Sequence, residues 1–287
     1  GSCGAGACTA GFGDCDGNKQ TNGCELPLLG DVANCGMCGR ACPAGYACSA
    51  GECHCPTGMQ YIPAGMFQMG ADDQFASMPV HGVRLSAFCM DTMEVTVAAY
   101  RMCTAPGCTA PNTGGNCNWM VGSRDNHPIN CVDWSQARAY CQWRMGDLPT
   151  EAQWEYAARG ADGRLYPWGS TPVPGSQLCW SGGGTSRTGT CVVGSFPAGN
   201  SPFGLMDMEG NIAEWALDWY RAYTGSAGSY VMDPTGPASS TGYRVIRGGL
   251  WVDNSGTVSN IRASTRNYRS PTERDFISGI RCARGAM

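Results

Sequence analysis

No cysteine falls between Cys191 and Cys282, although the chain of 287 residues carries nineteen. Charge is sparse as well: charged residues make up 15% and the net charge is −4 at pH 7. Nucleic acid and anionic membrane surfaces are met by clustered cationic faces, so this balance argues against both partners. No apolar run approaches the length of a membrane span, so no spanning helix is expected. Histidine is scarcer still, at His54, His81 and His127, and no two of these stand at metal-ligand spacing. A two-histidine, one-carboxylate iron site therefore has poor support. With 42 glycines and few charges, turns and loops should dominate over long helices.

Where cysteine is present, it is crowded. Ten of the nineteen (Cys3, Cys8, Cys15, Cys24, Cys35, Cys38, Cys42, Cys48, Cys53 and Cys55) precede Pro56, in a segment almost free of aliphatic residues. Such a segment cannot build an ordinary core, and disulfides must hold it. Cys35-x-x-Cys38 has the spacing of a zinc-ligand pair. Ten cysteines in irregular Gly/Asn-rich sequence nevertheless favour bridges. This predicts an exported chain, secreted or at the cell surface. The composition divides the chain into a Cys-rich module, residues 1–57, and a larger domain, residues 58–287, that opens with Met59-Gln60-Tyr61-Ile62-Pro63.

Inside the module, Asp14, Asp16, Asn18, Asn22 and Glu25 fall at the first, third, fifth, ninth and twelfth places of a calcium loop. Lys19 stands where such loops carry glycine. That weakens Asp14, Asp16, Asn18 and Glu25 as a cation site and favours Asx turns pinned by Cys15 and Cys24. In the larger domain, Thr96 caps a short helix through Arg101. Asp133-Trp134-Ser135-Gln136 reads as a capping box opening a helix to about Met145, and Thr150-Glu151-Ala152-Gln153 opens another to Arg159. Short apolar pieces such as Tyr243–Ile246 lie between Gly/Pro/Ser/Asn clusters. The fold class is α+β, with much irregular structure.

Several stretches carry a family likeness: Ile62-Pro63-Ala64-Gly65-Met66-Phe67-Gln68-Met69-Gly70, Met93-Glu94-Val95-Thr96, His127-Pro128-Ile129-Asn130-Cys131-Val132-Asp133-Trp134, and Leu148-Pro149-Thr150-Glu151-Ala152-Gln153-Trp154-Glu155-Tyr156-Ala157-Ala158-Arg159-Gly160. Tyr166-Pro167-Trp168-Gly169, Gly204-Leu205-Met206-Asp207-Met208-Glu209-Gly210-Asn211-Ile212-Ala213-Glu214-Trp215, Arg247-Gly248-Gly249 and Gly279-Ile280-Arg281-Cys282-Ala283 complete the series. In this order they resemble the formylglycine-generating enzyme family, also called sulfatase-modifying factors, over nearly all of residues 58–287. The resemblance implies a loop-rich single α+β domain related to C-type lectins, here preceded by a small disulfide-stapled module. The module's composition is similar to small modules of secreted myxobacterial proteins.

Carried over residue by residue, the resemblance separates frame from chemistry. Active members hold Cu(I) between two cysteines after the Gly-Gly pair, and soft thiolates are what Cu(I) selects. Those places are Asp253 and Val258 here, and the family's serine after Gly-Gly is Leu250. No copper is expected. One structural calcium site is implied at Asp207 and Glu214 through side-chain oxygens and at Gly210 and Ile212 through carbonyls. A second family calcium site is replaced by Leu178, Cys179 and a Gly/Ser/Thr run, where a Cys179–Cys191 bridge is inferred from spacing to take over the ion's role. Cys141 and Cys282 match a bridge of the family. Another family bridge would need cysteines at Ala158 and Ala263, and both are missing.

Cys103 and Cys108 enclose a short Pro-Gly loop and are expected to pair. Cys89, Cys117 and Cys131 remain, and the odd total leaves at least one thiol free or paired outside the chain. Cys131 beside Asp133 is a candidate reactive thiol. A carboxylate neighbour raises a thiol's pKa, however, which favours a buried or bridged cysteine instead. Arg262, Arg266, Arg269, Arg274, Arg281 and Arg284 give a local cationic excess, for which Glu151, Glu155 and Asp275 are candidate internal partners. The best reading is an exported binding domain whose groove is formed by Leu250, Trp251, Asp253 and Val258, taking a protein, peptide or glycan ligand. The alternative is a metal-dependent oxidase of the same superfamily with a relocated active site. A third reading makes the Cys-rich module a surface-attachment element.

Overall fold

The computed structural model describes residues 8–17, 24–42, 44–171, 175–183 and 186–285. In the module, strands β1 (Phe12–Gly13) and β2 (Leu26–Pro27) pair antiparallel, as do β3 (Ala47–Ser49) and β4 (Glu52–His54). The β3–β4 turn rests on Ala50 and Gly51, both at positive φ, as a two-residue hairpin of matching twist requires. Cys35 and Tyr46 are the buried apolar residues of the described module. Disulfides do the holding: Cys8–Cys24, Cys15–Cys38, Cys35–Cys48 and Cys42–Cys53. Cys35 and Cys38 are both bonded, so no thiolate pair is left there for zinc. A fifth bridge, Cys55–Cys89, ties the module to the larger domain.

The larger domain opens with β5 (Met59–Ile62), β6 (Gly65–Met69), β7 (His81–Leu85) and β8 (Phe88–Asp91). Three helices follow: α1 (Val97–Arg101), α2 (Trp134–Trp143) and α3 (Glu151–Arg159). Each begins where a side chain takes a free backbone N–H. Thr96 caps α1, and reciprocal boxes of Asp133 with Gln136 and of Thr150 with Gln153 cap α2 and α3. The chain ends with β9 (Ala213–Trp219), β10 (Tyr230–Met232), β11 (Arg244–Arg247), β12 (Arg266–Arg269), β13 (Ser278–Gly279) and β14 (Ala283–Gly285). Sheet orders are β12-β11-β9-β13, β10-β7-β6 and β14-β8-β5.

The first of these sheets divides the domain into two faces, because successive side chains on a strand point opposite ways. On one face Glu214 accepts from Trp154 Nε1 (2.6 Å) and Asp218 accepts from the Glu151 N–H (2.9 Å), so this face meets α3. On the other, Trp215 donates to the Val132 carbonyl (3.0 Å) and packs with Trp134, Ala137 and Tyr140 of α2. Each face has its own core, one around Phe67, Val83, Leu85 and Trp154, the other around Trp215, Ile246, Ile277 and Ile280.

The α3 face also absorbs the C-terminal arginines. Arg266 is bidentate to Glu151 (2.6 and 2.7 Å), Arg247 pairs with Glu155 (2.6 Å), and Arg281 pairs with Glu214 (2.8 Å). Farther out, Arg269 meets Asp275, Arg274 meets Asp133 and Arg262 meets Asp73. A buried guanidinium is costly unless paired, and Arg247, Arg266 and Arg281 are paired within the fold.

Candidate functional site

The Gly248-Gly249 pair leaves β11 in a conformation that few other residues could take. Gly248 has φ +93°, and a Cβ on Gly249 would stand 2.5 Å from Ile261 Cγ2. The turn that follows is closed by Asp253, whose Oδ2 accepts from the Leu250 N–H (2.8 Å). Its Oδ1 accepts from Thr257 Oγ1 and Asn260 Nδ2, both at 3.0 Å. Asp253 is 5% exposed, and both of its oxygens are engaged in holding this loop.

Leu250 and Asp253 line a cavity of about 40 Å³ with Ala213, Ile246, Gly248 and Ile277, on the α2 face of the sheet. Trp251 does not line it. Its backbone N–H donates to the Asn211 carbonyl (2.9 Å) and its ring is buried against Phe276. Val258 does not line it either, being 38% exposed on the 3₁₀ turn Ser255–Ile261. So the structure brings together two of the four residues expected to form a groove. The recess is small, and its one carboxylate is a hard ligand already saturated by hydrogen bonds.

Next to this turn lies the Met206–Glu214 loop, bent by positive φ at Asp207, Gly210 and Asn211. A Cβ on Gly210 would meet the Cys179 carbonyl at 2.7 Å, so that position needs glycine. Asp207 Oδ2 accepts from the Gly194 N–H (2.5 Å). Glu214 gives both oxygens to Arg281 (2.9 and 3.0 Å from Nε) and one also to Trp154. Glu94 completes the group: it accepts from Asn211 Nδ2 (2.6 Å) and the Ile212 N–H (3.3 Å). Burial, then the charges of Asp207 and Glu214, push the Glu94 carboxyl well above its usual range. Three buried carboxylates thus face one guanidinium, Arg281. The oxygens are of the hard type a divalent cation takes, but Glu214 has both of its own on Arg281, and the three carboxylates do not all bring an oxygen within 4.8 Å of one another.

Residue-level reading of the sequence did not single out Glu94 or Glu209. Glu209 is 2% exposed; one oxygen accepts from the Gly249 N–H (2.8 Å) and the other has no partner. Burial holds its carboxyl well above the ordinary value. Both residues lie inside family-like stretches, but no local pattern marks a carboxylate that tertiary packing will bury.

In the module, the carboxylates of Asp14, Asp16 and Glu25 come within 4.8 Å of one another, and the Cys15 N–H donates to Glu25 (3.0 Å). Asn18, the fourth member of that candidate set, lies outside the described residues. The remaining bridges are Cys103–Cys108, Cys117–Cys131, Cys141–Cys282 and Cys179–Cys191. Cys131 is therefore not a reactive thiol: its sulfur is bonded to Cys117. Cys89 is likewise taken by Cys55, and the odd cysteine, Cys3, lies outside the described residues. The Cys179–Cys191 loop backs the Asp207–Glu214 segment, with Cys179 O accepting from the Asn211 N–H (2.8 Å).

The sequence profile of the sulfatase-modifying factor enzyme 1-like domain matches residues 49–286. A formylglycine-generating enzyme of Thermomonospora curvata is 31% identical over 287 aligned positions, covering 79% of this chain and 93% of the relative. The inactive C-alpha-formylglycine-generating enzyme 2 of Bos taurus is 36% identical over 169 positions, covering 55% of this chain and 50% of that protein. Among solved structures, PvdO from Pseudomonas aeruginosa superposes with a TM-score of 0.63 at 26% identity, covering 79% of this chain and 94% of the other.

Proposed function

The chain belongs to the sulfatase-modifying factor enzyme 1-like family, and from that premise we propose that this member is a binding domain without the family's copper chemistry. One observation carries the reading. The two places that would hold Cu(I) are occupied by Asp253, whose oxygens are committed to its own turn, and by Val258, which does not line the recess. Neither offers a thiolate, and every described cysteine is in a disulfide. A relative named as inactive supports the non-catalytic reading.

In this proposal the protein is exported, and its bridges form in the oxidising compartment it enters. One calcium ion is held at Asp207 and Glu214 with the carbonyls of Gly210 and Ile212, next to Glu94. The ion fixes the loop on which the Trp251 backbone rests. A protein, peptide or glycan ligand meets the surface of the Leu250–Val258 stretch, where Val252 and Val258 are exposed.

Metal analysis of protein purified without added metals, together with oxygen uptake over a cysteine-containing peptide, tests the proposal. Calcium near one per chain, with no oxygen uptake, is the expected result. Stoichiometric copper or iron accompanied by oxygen consumption would overturn it in favour of an oxidase with a relocated site.

A further inference from the structure

A second cavity lies on the α3 face of the sheet, away from the Leu250–Asp253 recess, and shares no lining residue with it. Its volume is about 380 Å³, within the range of small-molecule sites. β10 pairs parallel with β7 and draws the segment between β9 and β11 across the end of the sheet, which roofs the cavity. Met69, Val83, Ala152, Val231, Pro234 and Pro237 supply apolar walls.

At the end of β9, Asp218 lines this space while only 5% exposed. Its Oδ2 accepts from the Glu151 N–H at the start of α3 (2.9 Å), and its Oδ1 takes no hydrogen bond from any described residue. Nor does Asp218 form an ion pair within hydrogen-bonding distance. Gly236 approaches so closely that a Cβ there would stand 2.9 Å from Asp218 Oδ1, so the roof is built against this carboxylate.

The other charges that surround Asp218 are already matched or remote. Arg266 of β12 is held by Glu151 of α3 through two hydrogen bonds, and its guanidinium lies 3.6 Å over the Tyr223 ring. Arg244 of β11 is sandwiched between the rings of Trp134 and Trp219 and donates to the Leu217 carbonyl (2.6 Å); its charge acts on Asp218 only as a minor influence beside burial. His81 of β7 has its Nδ1 on the Pro79 carbonyl (3.0 Å). Arg221 is exposed at the mouth, where solvent screens it. An anion entering the cavity would meet Asp218 without a free buried cation to receive it. A cation would meet the reverse.

We propose that this cavity is a binding site for a small primary ammonium carried on an aliphatic body, with the ammonium on Asp218 Oδ1 and the hydrocarbon against Met69, Val83 and Val231. The site is independent of the Leu250–Val258 stretch and of the calcium loop, so it stands or falls separately from the function proposed above. Burial and the Glu151 charge push the free Asp218 carboxyl up to about 7. An ammonium binds the ionised form, so affinity should rise as the pH rises through that value.

Calorimetric titration of the full chain with isopentylammonium chloride, whose amine is protonated at pH 6 and at pH 8, reads this directly. Binding about tenfold tighter at pH 8 is expected, because the ionised fraction of Asp218 grows from about a tenth to about nine-tenths. Asp218→Asn keeps an acceptor for the Glu151 N–H, and should weaken binding at least tenfold while removing the pH dependence. Val231→Tyr, on an exposed strand at the mouth, should weaken binding without touching Asp218. Isovalerate and isopentanol serve as the anionic and neutral controls and should bind weakly or not at all. Equal binding by either control, unchanged binding by Asp218→Asn, or no heat at millimolar ammonium would each overturn the proposal.

Discussion

Asp253 shows how a carboxylate can be turned into scaffold: it accepts three hydrogen bonds from its own turn. Asp253→Ala would strand the Leu250 N–H and the Asn260 amide, and should cost about 2–4 kcal/mol in a urea denaturation series. Asp218 makes a prediction of the opposite sign at high pH. Its folded pKa of about 7 lies above the ordinary carboxyl value, so the folded state holds the proton longer than the unfolded one. Its contribution to stability is therefore full in acid and is lost as pH rises through 7. Asp218→Asn should flatten the stability–pH curve between pH 5 and 8, measured against the parent chain in the same buffers. Sequence singled out Asp253 but not Asp218, and only the partners of their oxygens distinguish a turn brace from a free acceptor.

Among the elements, the helices were the most legible. The capping residues Thr96, Asp133 and Thr150 announced their starts, because a side-chain acceptor three residues ahead of its backbone donor is a local matter. The second helix stops at Trp143, two residues short of the expected Met145, where Arg144 leaves helical geometry. Thr150→Ala should cost about 1 kcal/mol, read from the thermal midpoint. Removing Trp154 from the middle of α3 is far more severe, at about 3–5 kcal/mol, because its ring fills the core and its Nε1 is bonded to Glu214. Strands were less legible. Edge strand β10, exposed throughout, has no alternation to reveal it, and its pairing with β7 crosses well over a hundred positions of sequence.

At the scale of the molecule, the nine disulfides among the described residues and a buried ionic layer take the place of long helices. Cys141–Cys282 closes a loop of 141 residues, and replacing both cysteines with serine should cost about 2–5 kcal/mol. Calcium removal acts at the same scale. If the Glu94, Asp207 and Glu214 cluster holds the ion, chelation should lower the melting temperature, and readdition at about a hundred times the dissociation constant should restore about 2.7 kcal/mol. Glu94→Gln should shrink that calcium-dependent shift; an unchanged shift would show that the cluster is not where calcium acts. Of the arginines near the C-terminus, a surplus when read along the chain, Arg262, Arg266, Arg269, Arg274 and Arg281 are internal partners of Asp73, Glu151, Asp275, Asp133 and Glu214 once the chain is folded, while Arg284 lies over the Tyr46 ring.

Sequence alone determined the family frame, the helix starts and the Cys-rich module. Each of these is written in residue identity at short or ordered spacing. Tertiary structure decided how the module's cysteines and Cys89, Cys117 and Cys131 join, since even eight cysteines allow on the order of a hundred pairings, whereas Cys103–Cys108, Cys141–Cys282 and Cys179–Cys191 were expected from sequence. It also decided that Glu94 stands beside Asp207 and Glu214, that the Leu250–Val258 stretch forms a recess rather than a groove, and that the larger cavity opens on the other face of the sheet around Asp218. Burial and charge balance arise when distant segments meet, and no local pattern of residues records that meeting.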